Sequence, residues 1–250
     1  GLNVIPLASL PLRLTLTGLV MLPLSSQGEP LLWGYSPSDP APYVVIQAND
    51  LQESLTREIG EAVAAATGRQ VSFVATPNNR IQESLAKSRI DIICNTLPEW
   101  LNAPDQLLWT PSLYDDADVV ITRQGETPPN SLDDLKDAIV GTTLGYYYSP
   151  AVTQAFSQQI MIRHDVRDLP TRLKMLERGR LDAAIDLRRA VKQLLPNEQS
   201  SFHISSWEVQ TFALRCAIAR PAEANSQKLA KSIERMIDQG QIRKIVQHFD

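Results

Sequence analysis

The amino-acid sequence predicts an α/β fold of two lobes joined by a hinge of two strands. Short apolar strands alternate with amphipathic helices from residue 31 onward, and the alternation forms two βαβαβ units, which imply parallel sheets with right-handed crossovers. A late apolar segment, 209–219, is long enough to return from the second unit to the first. The predicted division is therefore discontinuous: residues 29–117 plus 213–250 form lobe one, and residues 118–212 form lobe two.

The first unit opens with a buried strand at Leu31–Tyr35, which ends in a turn-rich segment at 36–40. A helix over 54–67 follows, because its apolar residues recur on one face and Gly68 stands where a C-cap glycine is expected. The unit is completed by a strand at 71–75, a helix at 79–87 and a strand at 90–94.

The second unit opens with the apolar strand 117–122 and a proline-containing loop. Ser131 then has the character of an N-cap, with Asp134 at the third helical position, and predicts a helix start. The remaining elements are a strand at 138–143, a helix at 149–158, a strand at 160–163, a helix at 169–178, a strand at 181–185, the returning strand 209–219 and helices over 221–239 and 241–249.

A repeated sequence pattern supports the two units. Leu85–Asp91 and Leu176–Asp182 share the pattern Leu-x-basic-small-Arg-aliphatic-Asp. Each copy ends a predicted helix and opens a buried strand, so the two copies occupy equivalent places in their units.

Composition excludes several classes of protein. The 250 residues are 43% hydrophobic and 21% charged, and the net charge is −4, whereas a nucleic-acid-binding protein normally presents a basic face. The sequence contains no nucleophile, phosphate-binding or metal-ligand motif, and His164, His203 and His248 are scattered. We therefore predict no enzyme activity, no cofactor and no metal. Two cysteines, Cys94 and Cys216, form one disulfide or remain separate buried thiols.

Residues 1–28 have the order of a secretory signal. Arg13 precedes an uncharged apolar run at 14–24, and small or polar residues follow at 25–28. The run is shorter than the ~20 residues that span a bilayer. The alternative is a buried N-terminal element, although three prolines disfavour a regular helix there. The sequence predicts export.

Five motifs in register resemble those of the bacterial periplasmic solute-binding proteins of family 3, the substrate-binding proteins of amino-acid ABC transporters. They are Ser54–Gly60, Ser88–Ile93, Trp109–Tyr114, Ser131–Lys136 and Gly179–Ala184. The resemblance implies the type II periplasmic-binding-protein fold, with two Rossmann-like lobes and a two-strand hinge. It further implies a periplasmic monomer that closes, without catalysis, on a small polar solute (an amino acid or related compound) and delivers it to an ABC permease.

The sequence departs from that family where the solute is bound, so it resembles a divergent member. The family holds a carboxylate with an Arg after a Thr-Pro-Glu turn, but here Thr96 is followed by Trp100 at the Arg position. After Gly145, Tyr146 and Tyr147 replace the family's Thr or Ser. Asp186 lies within one residue of the position whose Asp takes the ammonium group. Backbone amides at the start of the 149–158 helix are a second candidate anion site.

Four further candidates lie where the resemblance places the cleft: Tyr35 and Asp39 after the first strand, and Asn79 and Arg80 at a helix start. Arg80 either substitutes for the missing Arg or is solvated on the surface. The aromatic set Trp100, Tyr146 and Tyr147 suits a flat or cationic solute, or alternatively packs the two lobes together.

An alternative function with the same fold is a ligand-sensing or scaffold module that signals to a membrane partner. The loss of the family's Arg at Trp100 favours this alternative. Cys94 and Cys216 are both assigned to lobe one, where a disulfide requires that their strands be neighbours.

Overall fold

The computed structural model describes residues 28–196, 201–221 and 223–250. The predicted signal segment, apart from its last residue, lies outside the described residues. The strands are β1 Leu31–Tyr35, β2 Ile46–Gln47, β3 Asp50–Leu51, β4 Val71–Ala75, β5 Ile92–Thr96, β6 Leu108–Trp109, β7 Tyr114–Arg123, β8 Ile139–Thr143, β9 Ile162–Val166, β10 Ala183–Leu187 and β11 Phe202–Ile218. The helices are α1 Leu55–Ala66, α2 Ile81–Ala86, α3 Pro150–Ser157, α4 Leu169–Glu177, α5 Arg188–Leu194, α6 Glu223–Asp238 and α7 Gln241–Gln247.

The strands follow one path in the order β4-β1-β5-β11-β7-β10-β8-β9, with β6 paired to β11. In lobe one, β1 lies between β4 and β5 and is parallel to both. In lobe two, β8 lies between β9 and β10 and is parallel to both. The expected parallel βαβαβ units are thus present in the same strand order in each lobe.

Strands β7 and β11 join the two lobes. They pair antiparallel over most of their length, and β11 then pairs with β5 through residues 215–218. Ala117 lies opposite Thr211 and Asp116 opposite Phe212. The domain boundaries predicted from the sequence fall within this pair of crossing strands, which is where a two-strand hinge is expected.

The repeated sequence pattern forms the same hydrogen-bonded joint, between an aspartate and the central strand, in each lobe. Asp91 Oδ2 accepts a hydrogen bond from the Leu32 amide at 2.8 Å, and Asp182 Oδ2 accepts one from the Ile139 amide at 2.8 Å. Each aspartate also donates its own amide to the carbonyl of the same partner at 2.8 Å. Each aspartate therefore fixes the start of the central strand of its lobe.

Two glycines complete these joints. A Cβ on Gly34 would lie 2.6 Å from Ile90 Cδ1, and a Cβ on Gly141 would lie 2.6 Å from Leu181 Cδ1. Ile90 and Leu181 are both fully buried. Each glycine therefore leaves room on the central strand of its lobe for the aliphatic residue that precedes β5 or β10.

The structure differs from the sequence prediction at several elements. The helix expected at Ser131 is a single 3-10 turn, Leu132–Leu135, in which the Ser131 side chain makes no capping bond. Strand β11 begins seven residues before the predicted 209, because its polar first half pairs with β7. The sequence analysis did not predict the β2–β3 hairpin, β6 or α5. The reason is that the strands have only two residues each and that α5 has no side-chain N-cap.

Cys94 and Cys216 are joined in a disulfide. Cys94 lies in β5 and Cys216 in β11, two neighbouring antiparallel strands of lobe one. The cross-link closes a long loop, with a sequence separation of 122 residues, that contains all of lobe two.

Arg189, near the start of α5 in lobe two, contacts lobe one. Its Nε donates to Asp250 Oδ1 at 2.8 Å, and its Nη1 donates to the Tyr43 hydroxyl at 2.9 Å and forms an ion pair with Asp116 at 3.6 Å.

In the part of the chain that the structure describes, none of the helices combines the length and apolar character needed to cross a membrane.

Candidate functional site

Two adjoining cavities lie between the lobes beside the crossing strands. The smaller has a volume of about 100 Å³ and the larger about 510 Å³. Asp39 and Asn78 from lobe one and Tyr146 from lobe two line both of them. Because both lobes contribute walls, any movement at β7 and β11 changes the shape of this site.

Aromatic rings from both lobes meet in the smaller cavity. Trp100 lies in a 3-10 turn, Pro98–Trp100, immediately after β5. Its ring centroid is 6.3 Å from that of Tyr146 and 6.4 Å from that of Tyr147, which belong to the loop after β8. The edge of Phe212 in β11 packs on the same indole, with 5.4 Å between centroids. The rings thus line the cavity and also pack the two lobes together, and their contact with a solute stays a prediction.

Asp39 is held by a short polar chain. Asn95 Nδ2 donates to Asp39 Oδ2 at 3.0 Å, and the Tyr114 hydroxyl donates to Asn95 Oδ1 at 3.2 Å. Burial raises the pKa of Asp39 to about 6, and the hydrogen bond from Asn95 partly opposes that rise. This carboxylate is therefore a negative group whose charge depends on pH near neutrality.

Replacement of Asp39 by Asn should stabilise the protein at high pH. The folded state binds the Asp39 proton more tightly than the unfolded state, whose pKa is near 3.8, so the cost of ionising Asp39 appears as the pH rises from about 4 to about 6. Since Asp39 is partly exposed, we expect Asp39→Asn to raise the free energy of unfolding by about 1–2 kcal/mol at pH 8 and to leave it unchanged at pH 4. Urea unfolding at both pH values, with exposed Asp105→Asn as the control, tests this; an equal effect at pH 4 and pH 8 contradicts it.

Asp186 forms a buried ion pair with Arg172 of α4. The two side chains are 6% and 2% exposed, respectively. Arg172 Nη1 also donates to the Val166 carbonyl at 3.0 Å, and the Leu187 amide donates to Asp186 Oδ1 at 2.7 Å. Both charged groups line the larger cavity. Asp186 was predicted to be available for a positive group of a solute, but its charge is already balanced by Arg172.

Asp118 in β7 is an acidic group that the sequence analysis did not single out. It is 1% exposed, its Oδ1 accepts a 3.4 Å hydrogen bond from the Tyr146 hydroxyl, and its Oδ2 has no hydrogen-bond partner among the described residues. Burial raises its pKa well above the usual range, and the negative charges of Asp186 and Asp116 add to that rise. The signal in the sequence was a lone carboxylate inside the apolar run 117–122.

The other predicted residues divide into two groups. Thr96 and Gly145 line the smaller cavity, together with Trp100, Tyr147 and the shared Asp39 and Tyr146. Tyr35 is buried at the end of β1 and lines neither cavity. Asn79 and Arg80 are exposed and also lie outside both, whereas the preceding residue, Asn78, lines both. The structure therefore gives no support to Arg80 as a substitute for the missing Arg.

Two of the first three residues of α3 cannot offer a free amide to an anion. Its first residue is Pro150, which has no amide hydrogen, and Ser149 Oγ accepts a hydrogen bond from the Val152 amide at 3.3 Å. Within the described ranges, no group of three or more His, Cys, Asp or Glu residues is arranged to hold a metal ion.

Comparison with known proteins supplies a family and a fold. The family model described as bacterial extracellular solute-binding proteins, family 3, matches residues 33–249. No curated protein matches the sequence. Among solved structures, an ancestral arginine-binding protein bound to arginine is similar, with 19% identity and a TM-score of 0.72 over 89% of this chain and 99% of that one.

Two further structures have the same fold. A Salmonella typhimurium periplasmic binding protein, described as having high arginine specificity, is 18% identical, with a TM-score of 0.67 over 87% of this chain and 97% of that one. An amino acid ABC transporter substrate-binding protein from Streptococcus pneumoniae, bound to L-arginine, is 16% identical, with a TM-score of 0.68 over 88% of this chain and 93% of that one. At these identities the likeness concerns the fold.

Proposed function

The chain belongs to the bacterial extracellular solute-binding proteins, family 3, with the two-lobed type II periplasmic-binding fold, and from this we propose that it is a non-catalytic binding protein for a small polar solute. The solute is an amino acid or a related compound, which the exported, monomeric protein delivers to an ABC permease. The observation that carries the proposal is the position of the two cavities, which both lobes line beside the crossing strands.

The charges around the cleft favour a solute with a positive group. Asp39, Asp118 and Asp186 all act electrostatically on the Tyr146 hydroxyl, and Asp186 is balanced by Arg172. Aromatic faces at Trp100 and Tyr146 also suit a cation. That the similar structures include proteins bound to arginine supports this class of solute.

The mechanism is closure of the two lobes about β7 and β11. A solute shifts the protein toward the closed form only as far as it binds that form more tightly than the open one. Trp100 of lobe one packs against Tyr146 and Tyr147 of lobe two, so a solute bound beside these rings contacts both lobes at once.

A thermal-shift screen tests the proposal. The panel contains amino acids, their cationic and aromatic relatives, small peptides, polyamines and organic acids. A solute present at about 100 times its dissociation constant should add about 2.7 kcal/mol to the free energy of unfolding. A hit supports the solute-binding function. A flat response across the panel contradicts it and favours the sensing or scaffold module of the same fold.

Trp100→Ala should weaken binding of any solute found in this screen by about tenfold or more, because the indole is the aromatic side chain that lobe one contributes to the smaller cavity. The matched control is Trp207→Ala, which removes another half-buried indole that lines neither cavity. Calorimetric titration of both variants measures the effect. Equal affinities in the two variants would show that the smaller cavity is not the binding site.

A further inference from the structure

Asp118 is buried behind the wall of the cleft and lines neither cavity itself. In the antiparallel pair β7–β10 it lies directly opposite Leu187. Side chains directly opposite each other on neighbouring strands project from the same face of the sheet, and Leu187 lines the smaller cavity. The hydrogen bond from the Tyr146 hydroxyl to Asp118 Oδ1 agrees with this orientation, since Tyr146 lines both cavities.

The Asp118 carboxylate differs from its acidic neighbours in having no compensating partner. Asp186 has Arg172, Asp116 has Arg189 and the Tyr43 hydroxyl, and Asp39 has the Asn95 amide. Among the described residues, Asp118 has only the long contact from Tyr146, and its second oxygen has none. A buried carboxylate without a partner is costly, which is why burial raises the pKa of Asp118, and a positive group that binds beside it would stabilise the ionised form.

Tyr146 covers Asp118. Burial raises the pKa of its hydroxyl, and the negative charges of Asp118, Asp186 and Asp39 add to that rise. These three residues belong to the hinge strand β7, lobe two and lobe one, respectively. Tyr146 follows Gly145, whose φ of +74° marks a tight turn in the loop. A cationic group that displaces the phenol hydroxyl would reach the open Asp118 oxygen and would have all three carboxylates nearby.

The same cavity offers little to a carboxylate. Trp100 stands where the family resemblance places a guanidinium, and none of the described residues that line the smaller cavity is cationic. In the larger cavity Arg172 is paired with Asp186, and Arg167 is exposed at the surface. The side-chain charge of the site is therefore negative on balance.

We propose that Asp118 receives the cationic group of the solute, and that the solute is an amine or guanidine without a carboxylate of its own. This inference rests on the proposed solute-binding function. It assigns the cation-binding role to Asp118 on β7 and not to Asp186 on β10.

Calorimetric titration of the full chain with agmatine and L-arginine tests the proposal, because the two compounds differ only in the carboxylate. The pair cadaverine and L-lysine repeats the comparison for an amine. We expect each decarboxylated compound to bind at least tenfold more tightly than its amino acid. We expect Asp118→Asn to weaken that binding at least 100-fold, whereas Asp115→Asn, an exposed carboxylate on the same strand, leaves it unchanged.

Each failure has a distinct meaning. Amino acids that bind as tightly as their decarboxylated forms overturn the carboxylate-free class, and unchanged binding in Asp118→Asn overturns the role of Asp118; both results leave the solute-binding function intact. If only solutes other than carboxylate-free amines and guanidines bind in the thermal-shift screen, the inference is overturned and the function stands. If nothing in the screen binds, both are overturned. A thermal midpoint of Asp118→Asn at or above that of the unmodified protein excludes misfolding as the cause of lost binding.

Discussion

Asp186→Asn is expected to lower the free energy of unfolding by about 3–5 kcal/mol, because it leaves the Arg172 guanidinium buried without its counter-charge. The remaining contacts of Arg172 are hydrogen bonds to backbone carbonyls, of which the one to Val166 is 3.0 Å long. These neutral acceptors do not replace a carboxylate. Urea unfolding monitored by circular dichroism measures the loss.

Two controls make this prediction specific to the buried pair. The double variant Arg172→Met with Asp186→Leu removes both charges and should recover most of the stability, since apolar residues of similar volume commonly replace a buried ion pair at little cost. Glu61→Gln breaks the exposed ion pair with Arg57, whose N–O distance is 2.9 Å, and should cost less than about 1 kcal/mol. A cost for Asp186→Asn no greater than that for Glu61→Gln would contradict the prediction.

Removal of the disulfide is the second large effect that we expect. The cross-link between Cys94 and Cys216 closes a loop with a sequence separation of 122 residues. In the chain-entropy description, a loop of about 100 residues corresponds to about 4.7 kcal/mol of stabilisation. The double variant Cys94→Ala with Cys216→Ala should therefore lose about 4–5 kcal/mol of unfolding free energy.

Reductant provides the matched comparison for the disulfide. Unfolding of the unmodified protein in urea should shift to lower urea concentration when a reductant is added, while the double alanine variant should show no shift. Thiol titration of the unfolded, unreduced protein should detect no free thiol. Two free thiols, or an equal response of both proteins to reductant, would contradict the prediction.

Much of the fold was predictable because it depends on local patterns. Strands β1 and β4 begin and end at the predicted residues, since each is a short apolar run bounded by turn signals. The β2–β3 hairpin and β6 were not predictable, because strands of two residues carry no periodicity. The early start of β11 depends on pairing with β7, which is a tertiary contact and leaves no apolar run in the sequence.

The candidate site was predictable only where the resemblance located a loop. Trp100, Tyr146 and Tyr147 line a cavity as expected, but Asn78 lines both where Asn79 was predicted. Asp186 lines the larger cavity, but the sequence analysis did not predict that an arginine already balances its charge. Its partner, Arg172, lies in a helix whose amphipathic pattern gives no sign that an arginine is buried.

The doubled joint at Asp91 and Asp182 places matching positions of the two lobes at the cleft. Asp39 is seven residues beyond the amide that Asp91 holds, and Tyr146 is seven residues beyond the amide that Asp182 holds. In the same way Thr96 and Leu187 each lie five residues after their aspartate, and both line the smaller cavity. The site thus lies between two lobes that share one strand order. The two copies of the joint differ in length, since a sequence separation of 59 joins Leu32 to Asp91 and one of 43 joins Ile139 to Asp182. A solute between the lobes nevertheless meets matching positions, which carry a carboxylate and a hydroxyl in lobe one and a phenol and an aliphatic group in lobe two.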